Sequence, residues 1–179
     1  MTKRLFIALP LPLKQIEKLA DYFKSLDWAK AKWTKPENLH LTIYFLGEVR
    51  VEDLESLKTK IQETLVEIKP FVLEFDQIKF GPSGQKPTML WAVFKDNRED
   101  FNFRQKIFLA VKEFLTSANN RPPKLIPHMT LAKFKDGDYN KKIQPLDLEN
   151  LRVFKCQLIE SQLTKSGSVY TILAEYDLK

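Results

Sequence analysis

The sequence predicts an α+β fold built mainly on antiparallel sheet. Strand-like and helix-like runs are mixed, without the regular alternation that a parallel sheet requires. Two of the strand runs face each other across a turn-rich stretch, as in a hairpin with a long loop. The chain has 179 residues, 44% of them hydrophobic and thirteen of them Phe, which supplies one domain with a core that needs no covalent staples.

Arg4 to Leu9 reads as a buried strand, ended by Pro10 and Pro12. Leu13, Ile16, Leu19, Ala20 and Phe23 recur at helical spacing, which predicts a helix over residues 12 to 26 with these side chains on its apolar face. Ala31 to Thr34 is a short strand candidate. Leu39 to Phe45 is a stronger one, closed by Gly47. Leu54, Leu57, Ile61, Leu65 and Ile68 mark a second amphipathic helix, stopped by Pro70. Phe71, Leu73 and Phe75 alternate like a strand. The stretch from Gly81 to Pro87 then turns the chain into a strand from Met89 to Phe94. Phe103, Ile107, Ala110, Val111, Phe114 and Leu115 give a third helix. A loop with three prolines, Asn119 to Pro127, leads to a strand from His128 to Phe134. Leu151 to Asp177 holds two or three strands with a turn at residues 165–168. The loops at 81–87 and 119–127 are natural rims for a site.

Twenty-nine basic residues against twenty-three acidic ones, a net charge of +6, favour polyanionic partners without specifying one. The single cysteine, Cys156, excludes an internal disulfide framework and is expected to be a small buried or half-buried apolar residue. Lys3-Arg4 and the apolar run after it superficially resemble a signal peptide. Pro10 and Pro12 interrupt that run, and no small-x-small cleavage site follows. No stretch reaches the ~18–20 apolar residues of a membrane span. A soluble cytoplasmic protein without a membrane partner is expected.

The chain has two histidines, and both lie in a His-apolar-Thr-apolar run: His40-Leu41-Thr42-Ile43 and His128-Met129-Thr130-Leu131. Ten of the 179 residues are Thr, so both histidines having Thr two positions on has a random chance of roughly three in a thousand. In a strand, residues two apart share a face. Each run therefore sets an imidazole and a hydroxyl on a polar face, above an apolar one. Two histidines can divide the work of phosphodiester hydrolysis, one as base toward water and one as acid toward the leaving oxygen. The threonines can donate to the phosphoryl oxygens where charge builds up. A metal site is the alternative, but zinc wants three or four ligands and no ligand spacing accompanies either histidine. Neither metal nor cofactor is expected.

These pieces resemble the two-histidine (2H) phosphoesterases, specifically the RNA 2′,3′-cyclic phosphodiesterases once called 2′-5′ RNA ligases. The resemblance spans Arg4-Leu5-Phe6-Ile7-Ala8, Trp33, Asn38 to Val49 with its Phe45-Leu46-Gly47, Leu90-Trp91-Ala92, Pro127 to Lys133, and the closing Ser161, Leu163, Gly167 and Tyr170. It implies that residues 1–179 form a single bilobal domain, two similar halves about a pseudo-two-fold axis with the site in the groove between them. It implies metal-free hydrolysis of RNA 2′,3′-cyclic phosphate ends, or of cyclic nucleotides, to 2′-phosphomonoesters by a monomer. By position His40 would be the acid that protonates the departing O3′ and His128 the base, although the near-symmetry also allows the reverse. Thr42 and Thr130 would hold the phosphate. Lys133 stands where the family usually has Arg, which keeps the charge but loses the bidentate fork. Phe45 matches a family aromatic that stacks on the nucleobase. Strict alternation, however, puts Phe45 on the face opposite Thr42, as a core residue, unless the strand bulges. Trp33 and Tyr44 are expected to be packing residues. Action on 2′-5′ linkages (ligation included), a nucleotide-sized substrate such as a cyclic ADP-ribose phosphate, and a non-catalytic RNA-binding module are the rival readings.

Overall fold

A computed structural model describes residues 1–26, 28, 31–83, 86–116, 126–134, 142–165 and 167–179. The chain runs β1 (Thr2–Pro10), α1 (Leu13–Ser25), β2 (Lys32–Trp33), β3 (His40–Arg50), α2 (Leu54–Leu65), β4 (Phe71–Leu73), β5 (Phe75–Gly81), β6 (Met89–Phe94), α3 (Arg98–Val111), β7 (His128–Lys133), β8 (Leu151–Val153), β9 (Lys155–Thr164) and β10 (Gly167–Asp177). An eight-stranded sheet has the order β10-β9-β1-β3-β7-β6-β5, with β2 added beside β7. Its pairings are antiparallel throughout, as are those of a small second sheet of β4 and β8.

Alternation along the strands separates two faces. Leu5, Ile7, Leu41 and Met129 point to one of them and share a single buried cluster with Leu19 and Phe23 of α1, Leu57 and Ile61 of α2, and Phe103 and Ile107 of α3. Phe6, Ala8 and Ile159 point the other way and form a small separate cluster with Tyr170 against it. The helices therefore cover one face, and the second face is left for the site.

Four local expectations need correction. Leu13 does not lie on the buried side of α1: it is 70% exposed, whereas Gln15 and Tyr22 are buried. The segment that precedes β8 presents carbonyls to this helix, and apolar side chains could not satisfy them. Gln15 donates to the carbonyls of Glu149 and Asn150, and the Tyr22 hydroxyl donates to that of Gln144. Gly47 does not close its strand, since β3 continues to Arg50. Instead, Gly47 takes φ 77°, which accommodates a bulge where Leu46 is the extra residue between the pairs Leu5–Gly47 and Phe6–Phe45. The run from Phe71 to Phe75 is two strands: β4 leaves to pair with β8, and only β5 forms the hairpin with β6. Finally, α3 opens at Arg98, capped by the Asn97 side chain, which accepts from the Asp100 N–H at 2.8 Å, and it ends at Val111, so that Phe114 lies in a following 3₁₀ turn and Leu115 beyond it.

The conformation at Gly47 is costly for any residue with a Cβ. Gly47→Ala should lower stability by about 1–2 kcal/mol, read as a lower urea midpoint with an unchanged slope. A neutral substitution would show that the bulge relaxes freely.

Candidate functional site

Strands β3 and β7 lie side by side in the middle of the large sheet, and the pair that joins them is Leu41 opposite Met129. These are the central residues of the two His-x-Thr runs. Because the strands are antiparallel, His40 lies at the Thr130 end of the partner run and Thr42 at the His128 end. Leu41 and Met129 are both fully buried, while His40, Thr42, His128 and Thr130 are half-buried on the other face. The structure thus brings together the four residues that the sequence separates by 88 positions.

The likeness of the two strands extends further. From each histidine onward, the first six residues follow the same sequence of half-buried, buried, half-buried, buried, buried, exposed. The repeated buried position is a bulge. Ile43 is the extra residue between the pairs Ile7–Tyr44 and Ala8–Thr42. Leu131 is the extra residue between Leu90–Ala132 and Trp91–Thr130. A bulge shifts the alternation by one. Phe45 consequently emerges on the face of His40 and Thr42, 53% exposed, with its ring 5.5 Å from Phe6. The core placement that strict alternation implies for Phe45 does not occur. Lys133, at the equivalent position on β7, emerges exposed on the face of His128 and Thr130 for the same reason.

Both imidazoles are held alike. The Nδ1–H of His40 donates to the Asn38 carbonyl at 2.8 Å, and that of His128 to the Ile126 carbonyl at 2.9 Å. Each bond selects the tautomer with a free Nε2. His40 Nε2 accepts from the Thr42 hydroxyl at 3.0 Å. Aromatic rings form the walls. Phe6 lies 4.9 Å and Tyr170 5.4 Å from the His40 ring, and Trp91 stacks on His128 at 4.1 Å. Gly81 makes room for that stack, because a Cβ there would overlap the Trp91 ring.

Burial lowers the pKa of both histidines, and the backbone hydrogen bonds oppose it only in part. For His128 the positive charges of Arg104 and Lys79 lower it further. Both rings are therefore neutral at pH 7 in the free protein.

Trp33 and Tyr44 are packing residues, as expected: Trp33 stacks on Phe23 and Trp28, and Tyr44 is buried beside Phe108. Cys156 is fully buried, with its thiol pKa pushed up to about 12 by desolvation. Residues 119–125 of one expected rim loop, and 84 and 85 of the other, lie outside the described residues. Cavities of 330 and 350 Å³ lie elsewhere, the first between α3 and residues 67–71, the second beside β8. Among the described residues, no three His, Cys, Asp or Glu side chains gather as a metal site, and no helix is long and apolar enough to cross a membrane.

The sequence reading gave Phe6, Trp91 and Tyr170 no role as walls, and it missed the buried pair Asp100–Arg104. For the pair a signal did exist: both residues fall in phase with Phe103, Ile107 and Val111 on the apolar stripe of α3.

The sequence and the fold have known counterparts. The match is to the LigT-like phosphoesterases. The family model aligns with residues 9–91, which include His40 and Thr42. A protein of Methanothermobacter thermautotrophicus named RNA 2′,3′-cyclic phosphodiesterase is 26% identical, over 99% of this chain and 100% of its own. The crystal structure of TT0787 from Thermus thermophilus superposes with a TM-score of 0.84 at 26% identity, covering 98% of this chain and 97% of that one. Escherichia coli LigT, in its complex with 3′-AMP, has a TM-score of 0.78 at 22% identity, with 100% and 99% covered, and shares the LigT-like fold.

The lowered histidine pKa values contribute to the pH dependence of stability. The unfolded chain takes up protons near pH ~6.5, before the folded one does, so stability should fall as the pH drops from there through the folded-state values. Replacing both histidines with Asn should flatten that part of the urea-midpoint curve. An unchanged slope would mean that the rings are not desolvated.

Proposed function

We propose that this protein hydrolyses the 2′,3′-cyclic phosphate ends of RNA to 2′-phosphomonoesters, with His40 and His128 as its acid–base pair. The observation that carries this reading is the Leu41–Met129 pair, which sets two imidazoles and two hydroxyls head to tail on one open face. The name of the Methanothermobacter relative supports the substrate class.

In this reading the phosphate sits between the two runs. One histidine takes a proton from water, and the water oxygen attacks phosphorus. The P–O3′ bond breaks as the other histidine gives its proton to O3′, leaving the phosphate on O2′. The cations near His128 favour its neutral form, which suits it to be the base and leaves His40 as the acid. The anionic substrate raises the pKa of the acid on binding and helps to charge it. Thr42 and Thr130 donate to the non-bridging oxygens. Lys133 supplies a positive charge at one end, and Phe45 a stacking surface for the base at the other. The reaction needs no metal in this scheme, and the chain acts as a cytoplasmic monomer. The continuous sheet supports treating residues 1–179 as one domain.

The direct test is turnover of a nucleoside 2′,3′-cyclic monophosphate, and of a short RNA with a cyclic end, in the presence of EDTA. His40→Ala and His128→Ala should each lose about 10²–10⁴-fold in rate, and the product should be the 2′-phosphate. Activity that survives both substitutions would overturn the reading. The pH dependence of kcat/KM should be bell-shaped. Because both free-enzyme values are lowered, its maximum should fall below pH ~6.5. A flat profile between pH 5 and 9 would exclude the acid–base pair.

A further inference from the structure

Each bulge withdraws two carbonyls from the sheet ladder, and buried carbonyls need donors. On β7 the carbonyls so freed are those of Thr130 and Leu131, two and three positions after His128. Thr34 satisfies both: its backbone N–H donates to the Leu131 carbonyl at 2.8 Å, and its hydroxyl to the Thr130 carbonyl at 2.8 Å. On β3 the corresponding pair is Thr42 and Ile43, two and three positions after His40. Here the donor is Arg104, whose Nη1 donates to the Thr42 carbonyl at 3.3 Å and the Ile43 carbonyl at 3.2 Å. The same two offsets are clamped in both halves, by residues unrelated in type and in position along the chain.

We infer that Thr34 and Arg104 are positioning residues, which hold the two bulges and thereby turn Lys133 and Phe45 onto the phosphate face. Thr34 follows β2 and donates to β7, and Arg104 projects from α3 to β3. Arg104 is 3% exposed and Asp100 1%, and the two form an ion pair at 2.8 Å. Asp100 is in turn held by Asn97, through its N–H. Burying two charges costs more than a well-packed apolar pair would. Arg104 Nη2 and Asp100 Oδ1 also lack hydrogen-bond partners among the described residues. The pair is a poor device for stability alone but a good one for placing a guanidinium under the bulge. This inference rests on the phosphodiesterase reading only for its consequence in turnover.

The test is a pair of double-mutant cycles on a nucleoside 2′,3′-cyclic monophosphate. Thr34→Val keeps the shape and the N–H but removes the hydroxyl, and should lower kcat/KM by on the order of 10- to 100-fold through misplacement of Thr130 and Lys133. Thr34→Ser should restore it. The penalty of Thr34→Val should shrink in a Lys133→Ala background, and that of Arg104→Lys in a Phe45→Ala background. Penalties that simply add, or variants as active as the wild type, would overturn the inference. Should Arg104→Lys fail to fold, the Thr34 cycle decides by itself. A crystal structure of Thr34→Val separates this inference from the functional reading: Lys133 turned away from the His128 face supports the clamp, and an unaltered bulge refutes it, whatever the turnover.

Discussion

The site depends on one cross-strand contact, Leu41 against Met129. Both side chains are fully buried in the main core, so the register of β3 against β7 is set by apolar packing. A slip of one residue in either strand would drive a histidine into that core and lift its apolar neighbour out. Hydrophobic burial on one face thus positions the polar chemistry on the other. It does so at the junction of the half of the sheet that holds β1, β9 and β10 with the half that holds β5 and β6.

The two halves share a backbone plan but differ in side chains. Around His40 the walls are Phe6 and Tyr170, with Phe45 beyond them. Around His128 the wall is Trp91, and the positive charges of Arg104 and Lys79 act on the ring. Desolvation dominates the titration of both rings, and the carbonyl bonds recover only part of it. Each unit of pKa shift corresponds to about 1.4 kcal/mol of preference for the neutral ring. The added cations distinguish His128 from His40, so an almost symmetric frame holds two chemically distinct bases. The same asymmetry divides the face into an aromatic end at Phe45 and a basic end at Lys133.

Much of this was legible in the residues. The paired His-x-Thr runs, the helices and most strands, the buried Cys156 and the packing roles of Trp33 and Tyr44 all follow from period and composition. The misreadings share a cause. Counting periods assumes an unbroken alternation, and the bulges at Ile43 and Leu131 break it, so the side of the sheet taken by Phe45 was not readable. Counting also treats polarity as exposure. Gln15, Asp100 and Arg104 are buried because carbonyls from distant segments, or a partner charge, await them.

The sequence by itself determined the α+β class, the antiparallel character of the sheet and the pairing of each imidazole with a hydroxyl on one strand face, because these depend on local period and on residue type. Tertiary structure alone decided that the two runs meet head to tail, which face Phe45 and Lys133 take, and which groups hold the bulges. Those outcomes depend on register and on unpaired carbonyls, and both are settled only when strands far apart in the chain compete for the same hydrogen bonds.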